Sequence, residues 1–418
     1  MKQYDSYKDS GVEWIGEVPS HWDVMPLKFT GTFGNGLTYS PKDVVDHGIL
    51  VLRSSNIQNS SLSFDDNVYV SSVSKDLLVN KGDIIICSRN GSAALVGKSA
   101  FIDIDINATF GAFMMRYIPN INKKYGFYLF HTAIGRYKGY FATTTINQLT
   151  KSTIGEMKVP LANTKEQAVI ANYLDKKCSE IDNVISAQQK RIALLQELKQ
   201  SVITHAVTKG LDPNVEMKDS GVEWIGEVPN NWDIAKLKYF VHLINGRAYS
   251  QTELLPEGKY KVLRVGNFFT NDSWYYSNLE LKEEKYCNFG DLLYAWSASF
   301  GPYIWDKDKT IYHYHIWKVL FAERMDKKYV YYMLKAITNF KLGDIHGSTM
   351  VHITMESMNN SFIPIIPLAE QITIATYLDK KCASIDSSIS KAQHQVELLQ
   401  EYKQSLITEV VTGKRKVS

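Results

Sequence analysis

The most regular hydrophobic pattern lies between residues 165 and 204. There Leu174, Cys178, Ile181, Ile185, Gln188, Ile192, Leu195, Lys199 and Val202 fall at alternating spacings of four and three. That is a heptad seam, and no Gly or Pro interrupts Gln167 to Val207, so the spacing predicts one long helix. A second seam follows at Leu378, Cys382, Ile385, Ile389, Ala392, Val396, Leu399, Lys403 and Leu406. Gly210 and Gly413 sit just beyond the two periodic stretches, where helix stops are expected. Two seams in one chain predict that the helices pair with each other, antiparallel if the halves are related by a twofold axis. A helix of about 40 residues spans roughly 60 Å at 1.5 Å per residue, which makes a rigid spacer.

Outside the seams the pattern changes to short apolar runs bounded by turn residues, the signature of strands. VLRSSNI (Val51–Ile57), KGDIIICSRNG (Lys81–Gly91) and ATFGAFMMRYI (Ala108–Ile118) are followed by the helix-like KKYGFYLFHTAIGRYKGYF (Lys123–Phe141). The second half repeats the order with other letters: VLRVGNF (Val262–Phe268), FGDLLYAWSASFG (Phe289–Gly301) and KKYVYYMLKAI (Lys327–Ile337). The flanking segments are much closer copies. KDSGVEWIGEVP occurs at Lys8–Pro19 and again at Lys218–Pro229, and Lys165–Thr204 returns as Ala369–Thr408. One departure is NTK (Asn163–Lys165) before Glu166, which has no counterpart in the second copy.

The expected fold class is α+β: two globular α/β domains separated by two long helices pairing as an antiparallel coiled coil, with a pseudo-twofold internal repeat. The boundaries read as a first repeated motif at 1–20, a domain at 21–160, a helical spacer at 161–210, a linker with the repeated motif at 211–230, a second domain at 231–367 and a second spacer at 368–418. A nearly identical frame holding two inserts of like fold and unlike surface suits an asymmetric, two-part ligand. Identical partners would dock on the two equivalent faces of the frame.

Composition changes this picture little. The chain has 418 residues, 44% hydrophobic and 22% charged, and a net charge of +3, too mild to argue for or against nucleic acid. The opening residues lack the apolar core of a signal peptide, no apolar run approaches membrane length, and the four cysteines form no CxxC pair. The expectation is a reduced, cytoplasmic protein. Catalytic motifs are missing: there is no Asn/Asp-Pro-Pro-aromatic motif and no dinucleotide-spaced glycine loop. SAALVGKS (Ser92–Ser99) ends like a P-loop but lacks the first glycine, and the ExK triplets at Glu216–Lys218 and Glu283–Lys285 are commonplace. His313 and His315 offer a metal pair on one strand face without a third ligand, so a half-buried strand is the better reading and no metal is assigned.

The layout resembles the specificity subunit of a type I DNA restriction–modification enzyme. The resemblance rests on two variable segments alternating with two repeated helical ones, on GVEWIGEVPxxW at Gly11–Trp22 and Gly221–Trp232, and on the helix starts from Glu166-Gln167 to Asp175 and from Glu370-Gln371 to Asp379. It implies a subunit with no catalytic site of its own, in a complex that cleaves DNA and methylates adenine N6. Each variable segment would be a target-recognition domain reading one half of a bipartite site in double-stranded DNA. The helices would set the gap between half-sites and dock two methyltransferase subunits, and motor-nuclease subunits would complete the assembly. S-adenosylmethionine, ATP and Mg2+ are then expected on the partners and none on this chain, and no membrane is involved.

Base reading needs amide or guanidinium side chains at base edges, with cations and hydroxyls on phosphates. In the first domain the candidates are Arg53, Asn56, Ser88, Arg89, Asn90, Ser92, Asn147, Gln148 and Lys151. In the second they are Arg264, Asn267, Trp296, Ser297, Ser299, His346, Ser348, Thr349 and His352, with Trp296 a candidate for stacking on a base. Arg53 and Arg264 keep the same place in both inserts, which also fits a purely structural role. The alternative function is a symmetric protein-interaction scaffold that binds no DNA.

Overall fold

The structure is a computed structural model and describes residues 3–141, 148–269, 271–297, 299–343 and 353–417. The chain forms two compact units, Met1–Ala187 with Gln395–Ser418, and Gln188–His394. Both long helices are continuous, Thr164–Lys209 and Leu368–Val411, and each contributes one portion to each unit. The 46 residues of the first span about 69 Å.

In the first unit a four-stranded antiparallel sheet has the order Ser99–Phe101, Ile84–Cys87, Met114–Pro119, Gly31–Asn35. A second sheet has the order Ala108–Phe110, Ile49–Leu52, Tyr69–Val70, Val44–Val45, with its first pair parallel. Strand Ile84–Cys87 is apolar throughout because it is buried on both faces. Ile84 and Ile86 join the core that includes the helix Lys123–Phe141, while Ile85 and Cys87 face the second sheet.

The second unit repeats this plan. Its first sheet runs Val241–Asn245, Ile316–Phe321, Leu292–Ala295, Gly301–Ile304. Leu292 and Tyr294 face the core of the helix Lys327–Gly343, and Leu293 and Ala295 the other side. The parallel pair here is Tyr260–Leu263 with Thr310–Tyr312.

Within each unit the two long helices run antiparallel. In the first, Leu174, Cys178, Ile181 and Ile185 share a core with Leu406, Ile407, Val410 and Val411. Lys403 Nζ donates to both Asp182 carboxylate oxygens at 2.7 Å. In the second, Ile203, Ala206 and Val207 pack with Ile374, Ala375, Leu378 and Cys382. Lys199 Nζ there donates to Asp386 at 2.7 and 2.6 Å, the same ion pair repeated. Of the predicted seam, Leu174, Ile181, Ile185, Leu378 and Ile385 are buried, while Ile192, Leu195, Ile389, Val396 and Leu399 are half-buried.

The duplicated twelve-residue motif fastens one helix end to the other helix start. In the first unit it forms the hairpin Tyr7–Asp9 with Glu17–Pro19, and Ile15, Val18 and Trp22 are fully buried beneath it. Trp22 Nε1 donates to Glu166 at 3.0 Å, at the start of the first long helix, and the Tyr7 hydroxyl donates to the Gly413 carbonyl at 3.2 Å, at the end of the second. Gly413 has φ +75°, and a Cβ there would lie 2.3 Å from Pro19 and 3.2 Å from Trp22, so only glycine closes that helix against the motif. In the second unit Trp232 Nε1 donates to Glu370 at 3.2 Å, Lys209 Nζ donates to the carbonyls of Ile225 and Glu227, and Gly210 at φ +77° ends the helix beside Trp232.

A second repeated joint holds each globular domain to its helix. Tyr128 and Tyr332 donate their hydroxyls to Asp175 and Asp379 at 2.7 Å, and burial beside those carboxylates pushes both phenols up. The buried amides of Gln167 and Gln371 donate to Ala162 O at 2.8 Å and Ile366 O at 2.9 Å, and accept from the backbone N–H of Asn122 at 3.0 Å and Asp326 at 2.8 Å. The four cysteines are buried free thiols whose pKa burial pushes up, which makes them unreactive.

Candidate nucleic-acid interface

The sheet registers bring four distant segments of the first unit to one end of the domain. Ile86 lies opposite Ser99, Cys87 opposite Met114, Met115 opposite Asn35, and Phe110 beside Leu52. The residues just past those positions therefore meet: Arg53 and Ser54, Ser88 to Ser92, Lys98, and Gly111 to Phe113. A fifth segment is pinned there by Leu149, buried, whose N–H donates to Ser88 O at 2.7 Å, and by a single antiparallel bridge between Arg89 and Gln148. Gly36 must be glycine here, since a Cβ would come within 2.1 Å of the Gly111 carbonyl where the two sheets touch.

At this edge Arg89 is exposed with its guanidinium 5.4 Å from the centre of the Phe113 ring, itself 60% exposed. Asn90 Nδ2 donates to Ser54 Oγ at 3.2 Å and its Oδ1 accepts from Ser92 N–H at 3.0 Å, which fixes the turn. Lys98 Nζ donates to Ser54 O at 3.3 Å. Gln148, Lys151 and Ser92 are exposed, and Lys151 opens a short helix capped by Thr150. Arg53 is half-buried and pairs with Asp66 at 2.8 Å, holding that carboxyl below its usual range.

The same end of the second unit is chemically different. Arg264 is exposed, its guanidinium 5.3 Å from the Tyr275 ring. Where the first unit has Gly111, Ala112 and Phe113, the second has His313, Tyr314 and His315, and where it has Leu37 the second has Arg247. Trp296 is half-buried: its Nε1 donates to Tyr314 O at 2.8 Å, and its ring stacks on Trp317 at 6.1 Å. Ser297 and Ser299 are half-buried beside it. Arg247 pairs with Glu253 at 2.7 Å, which pushes Glu253 down to about 2. Burial, helped by His315 and Arg264, lowers His313 from the ordinary 6.5 to about 4, so its ring is neutral at neutral pH.

Three of the sequence candidates need correction. Asn56 is fully buried, and its amide is spent on Ser63 O and Asp66 O, each at 3.1 Å, on Asn67 Oδ1 at 3.3 Å and on the Arg53 N–H at 3.0 Å. Asn267 is buried in the same way, donating to Asn271 O at 2.8 Å and Ser273 O at 3.0 Å. Ser88 is buried and donates to Phe113 O at 3.0 Å. All three build the edge and present nothing to a ligand. Asn147, His346, Ser348, Thr349 and His352 lie outside the described residues.

Phe113 and Lys98 stand on the first unit's edge, Arg247 and Tyr314 on the second unit's, and none of the four was among the candidates. The signal for Phe113 is the small Gly111-Ala112 pair, which breaks an apolar run into two strands and a turn. Gly97-Lys98-Ser99, the P-loop look-alike, leads into the strand Ser99–Phe101, where a phosphate cradle needs a helix N-terminus. Among the described residues no group of three or more His, Cys, Asp or Glu is placed to hold a metal ion, and no helix is long and apolar enough to cross a membrane.

Comparison with known proteins gives one answer at every level. The profile of the type I restriction modification DNA specificity domain matches residues 19–194 and 229–398. The putative type I restriction enzyme MjaX specificity subunit of Methanocaldococcus jannaschii is 27% identical over 435 aligned positions, covering 96% of this chain and 96% of its own. The EcoKI specificity subunit of Escherichia coli is 25% identical, covering 67% of this chain and 62% of its own. Among solved structures, a chain of a type I R-M system, reported in a study of complex assembly and conformational transition, superposes with a TM-score of 0.71 at 14% identity, over 94% of this chain and 98% of that one. The HsdS subunit from Thermoanaerobacter tengcongensis superposes with a TM-score of 0.50 at 14% identity, over 97% and 100%.

Proposed function

Because the chain belongs to the type I restriction–modification DNA specificity family, as a specificity subunit, we propose that the edge of each unit reads one half of a bipartite, asymmetric site in duplex DNA. One observation carries the reading: equivalent strand ends hold the same positions in both units but present different chemistry. Arg89, Asn90, Lys98, Gln148 and Phe113 stand on one edge, and Arg264, Trp296, His313 and Tyr314 on the other. Arginine and amide side chains pair bidentately with guanine and adenine edges, and lysines and hydroxyls hold phosphates. Neutral His313 and the Trp296–Tyr314 cluster suit apolar contact with a thymine methyl or stacking.

The remaining work belongs to partners. Two methyltransferase subunits carrying S-adenosylmethionine dock on the repeated frame and modify adenine N6 in each half-site. Motor-nuclease subunits supply ATP- and Mg2+-dependent cleavage. The chain itself selects the site and holds the partners over it.

Long-read methylation mapping of the host genome with and without the chain tests this. A split, asymmetric N6-methyladenine motif that disappears on deletion is the expected result. An unchanged methylome, together with duplex binding that shows no salt dependence, would favour the scaffold reading instead.

A further inference from the structure

We propose that Arg89 and Phe113 act as one reader, contacting a guanine and, on the neighbouring base pair of the same half-site, a thymine methyl. This deepens the reading above and rests on it. Arg89 is exposed, Phe113 is 60% exposed, and the guanidinium lies 5.4 Å from the ring centre. Their backbones are locked to each other. The Phe113 carbonyl accepts from the N–H of Ser88 at 2.9 Å, from the N–H of Arg89 at 3.1 Å and from the Ser88 hydroxyl at 3.0 Å. A cation and an apolar ring thus stand side by side on one fixed point of the edge.

The polar side chains around them are committed inside the fold. Asn90 and Lys98 donate to Ser54, and Arg53 pairs with Asp66. Among the described residues no carboxylate or carbonyl accepts from the Arg89 guanidinium, so its N–H donors remain for a ligand.

The ring decides which ligand fits. A phosphate would satisfy the guanidinium and offer the ring nothing apolar. In the major groove the apolar group is the thymine C5-methyl, and guanine O6 and N7 are the acceptor pair that matches a guanidinium. No Watson–Crick pair holds both a guanine and a thymine, so the two contacts come from two base pairs. A rise of about 3.4 Å per pair makes adjacent pairs the match for groups 5.4 Å apart. Insertion of the ring between bases does not suit this geometry, because a wedge needs both ring faces and the guanidinium covers one. The second unit lacks the pair. Trp296 N–H donates to His315 O at 3.1 Å where Ser88 N–H donates to Phe113 O, so Ser297 and His315 hold the places of Arg89 and Phe113. The device therefore serves one half-site and contributes to the asymmetry of the target.

The test uses the full chain and synthetic duplexes carrying the split motif found by methylation mapping, with binding followed by fluorescence anisotropy. Each thymine of the motif is replaced in turn by deoxyuridine, which removes only the methyl group. At one thymine, beside a G·C pair, the replacement is expected to weaken wild-type binding about fourfold, the worth of one buried methyl. Phe113→Ala should bind the thymine and deoxyuridine duplexes equally, both about fourfold more weakly than wild type binds the natural one. Replacing the adjacent guanine by 7-deazaguanine, which lacks the N7 acceptor, should weaken wild type about tenfold and leave Arg89→Ala unaffected. Wild-type binding that ignores deoxyuridine at every thymine would overturn the pairing and leave the functional reading intact, and it needs no variant to fold. So would a Phe113→Ala chain that still distinguishes the two duplexes, or a motif in which no half-site sets a G·C pair beside an A·T pair. A wild-type chain with no salt-dependent binding to any duplex would overturn the functional reading itself, and this inference with it.

Discussion

An asparagine three residues after an arginine performs the same task in both units. Asn56 and Asn267 cap the turns that follow Arg53 and Arg264, and their amides tie down loops that have no sequence in common. Asn56→Ala strands buried carbonyls as well as the Arg53 N–H, so a loss of about 1–3 kcal/mol is expected in denaturant unfolding, with the recognised bases unchanged below the transition. Arg89→Ala should do the opposite. Its side chain is exposed at the proposed interface, so stability should hold, while the methylated motif is expected to relax at one position by about 1–3 kcal/mol of discrimination, read as partial methylation at sites carrying other bases there. His313 gives a pH dependence. Its pKa is lower in the folded chain, about 4 against the ordinary 6.5, so the unfolded state binds the proton first as pH falls. The stability it contributes is complete above about 6.5 and declines between there and about 4. His313→Gln should flatten the fall in melting temperature over that window; an unaltered slope would assign the dependence to other groups.

At the scale of elements, the long helices were legible because a heptad seam is a one-dimensional signal, and their glycine stops fell where the spacing placed them. The seam also sorts the leucines. Leu378 is fully buried, whereas Leu198, on the other face of its helix, is 46% exposed. Leu378→Ala should therefore cost about 2–5 kcal/mol in unfolding of the isolated chain, and Leu198→Ala no more than about 0.5 kcal/mol. The candidate edge was only half legible. Runs such as KGDIIICSRNG announced a strand and a polar turn, and so placed Arg89 and Asn90. They did not say that Ser88 points inward, or that Lys98 and Phe113 stand beside it, because strand order and register join segments that are distant in sequence. Likewise the repeated Arg-x-x-Asn looked like two donors in a row, and only burial showed that one of them is spent inside the fold.

For the whole molecule, the repeat makes a claim about length. Asp182 and Lys199 on one helix, and Asp386 and Lys403 on the other, mark equivalent points through the ion pairs Lys403–Asp182 and Lys199–Asp386. The midpoints between the marked residues fall after Lys190 and after His394, and seven residues inserted at both places keep the seam in phase and move no residue of either reading edge along its own strand. One heptad adds about 10.5 Å of helix, and B-DNA rises about 3.4 Å per base pair, so the gap between half-sites should lengthen by about 3 bp. Methylation mapping of cells carrying the lengthened chain reads this directly. The half-sites should be the wild-type ones, set farther apart. If cells carrying the lengthened chain are methylated at the original spacing, the helices do not measure the gap and the distance must be set by the bound partners. If the half-site bases themselves change, reading does not reside in the two edges.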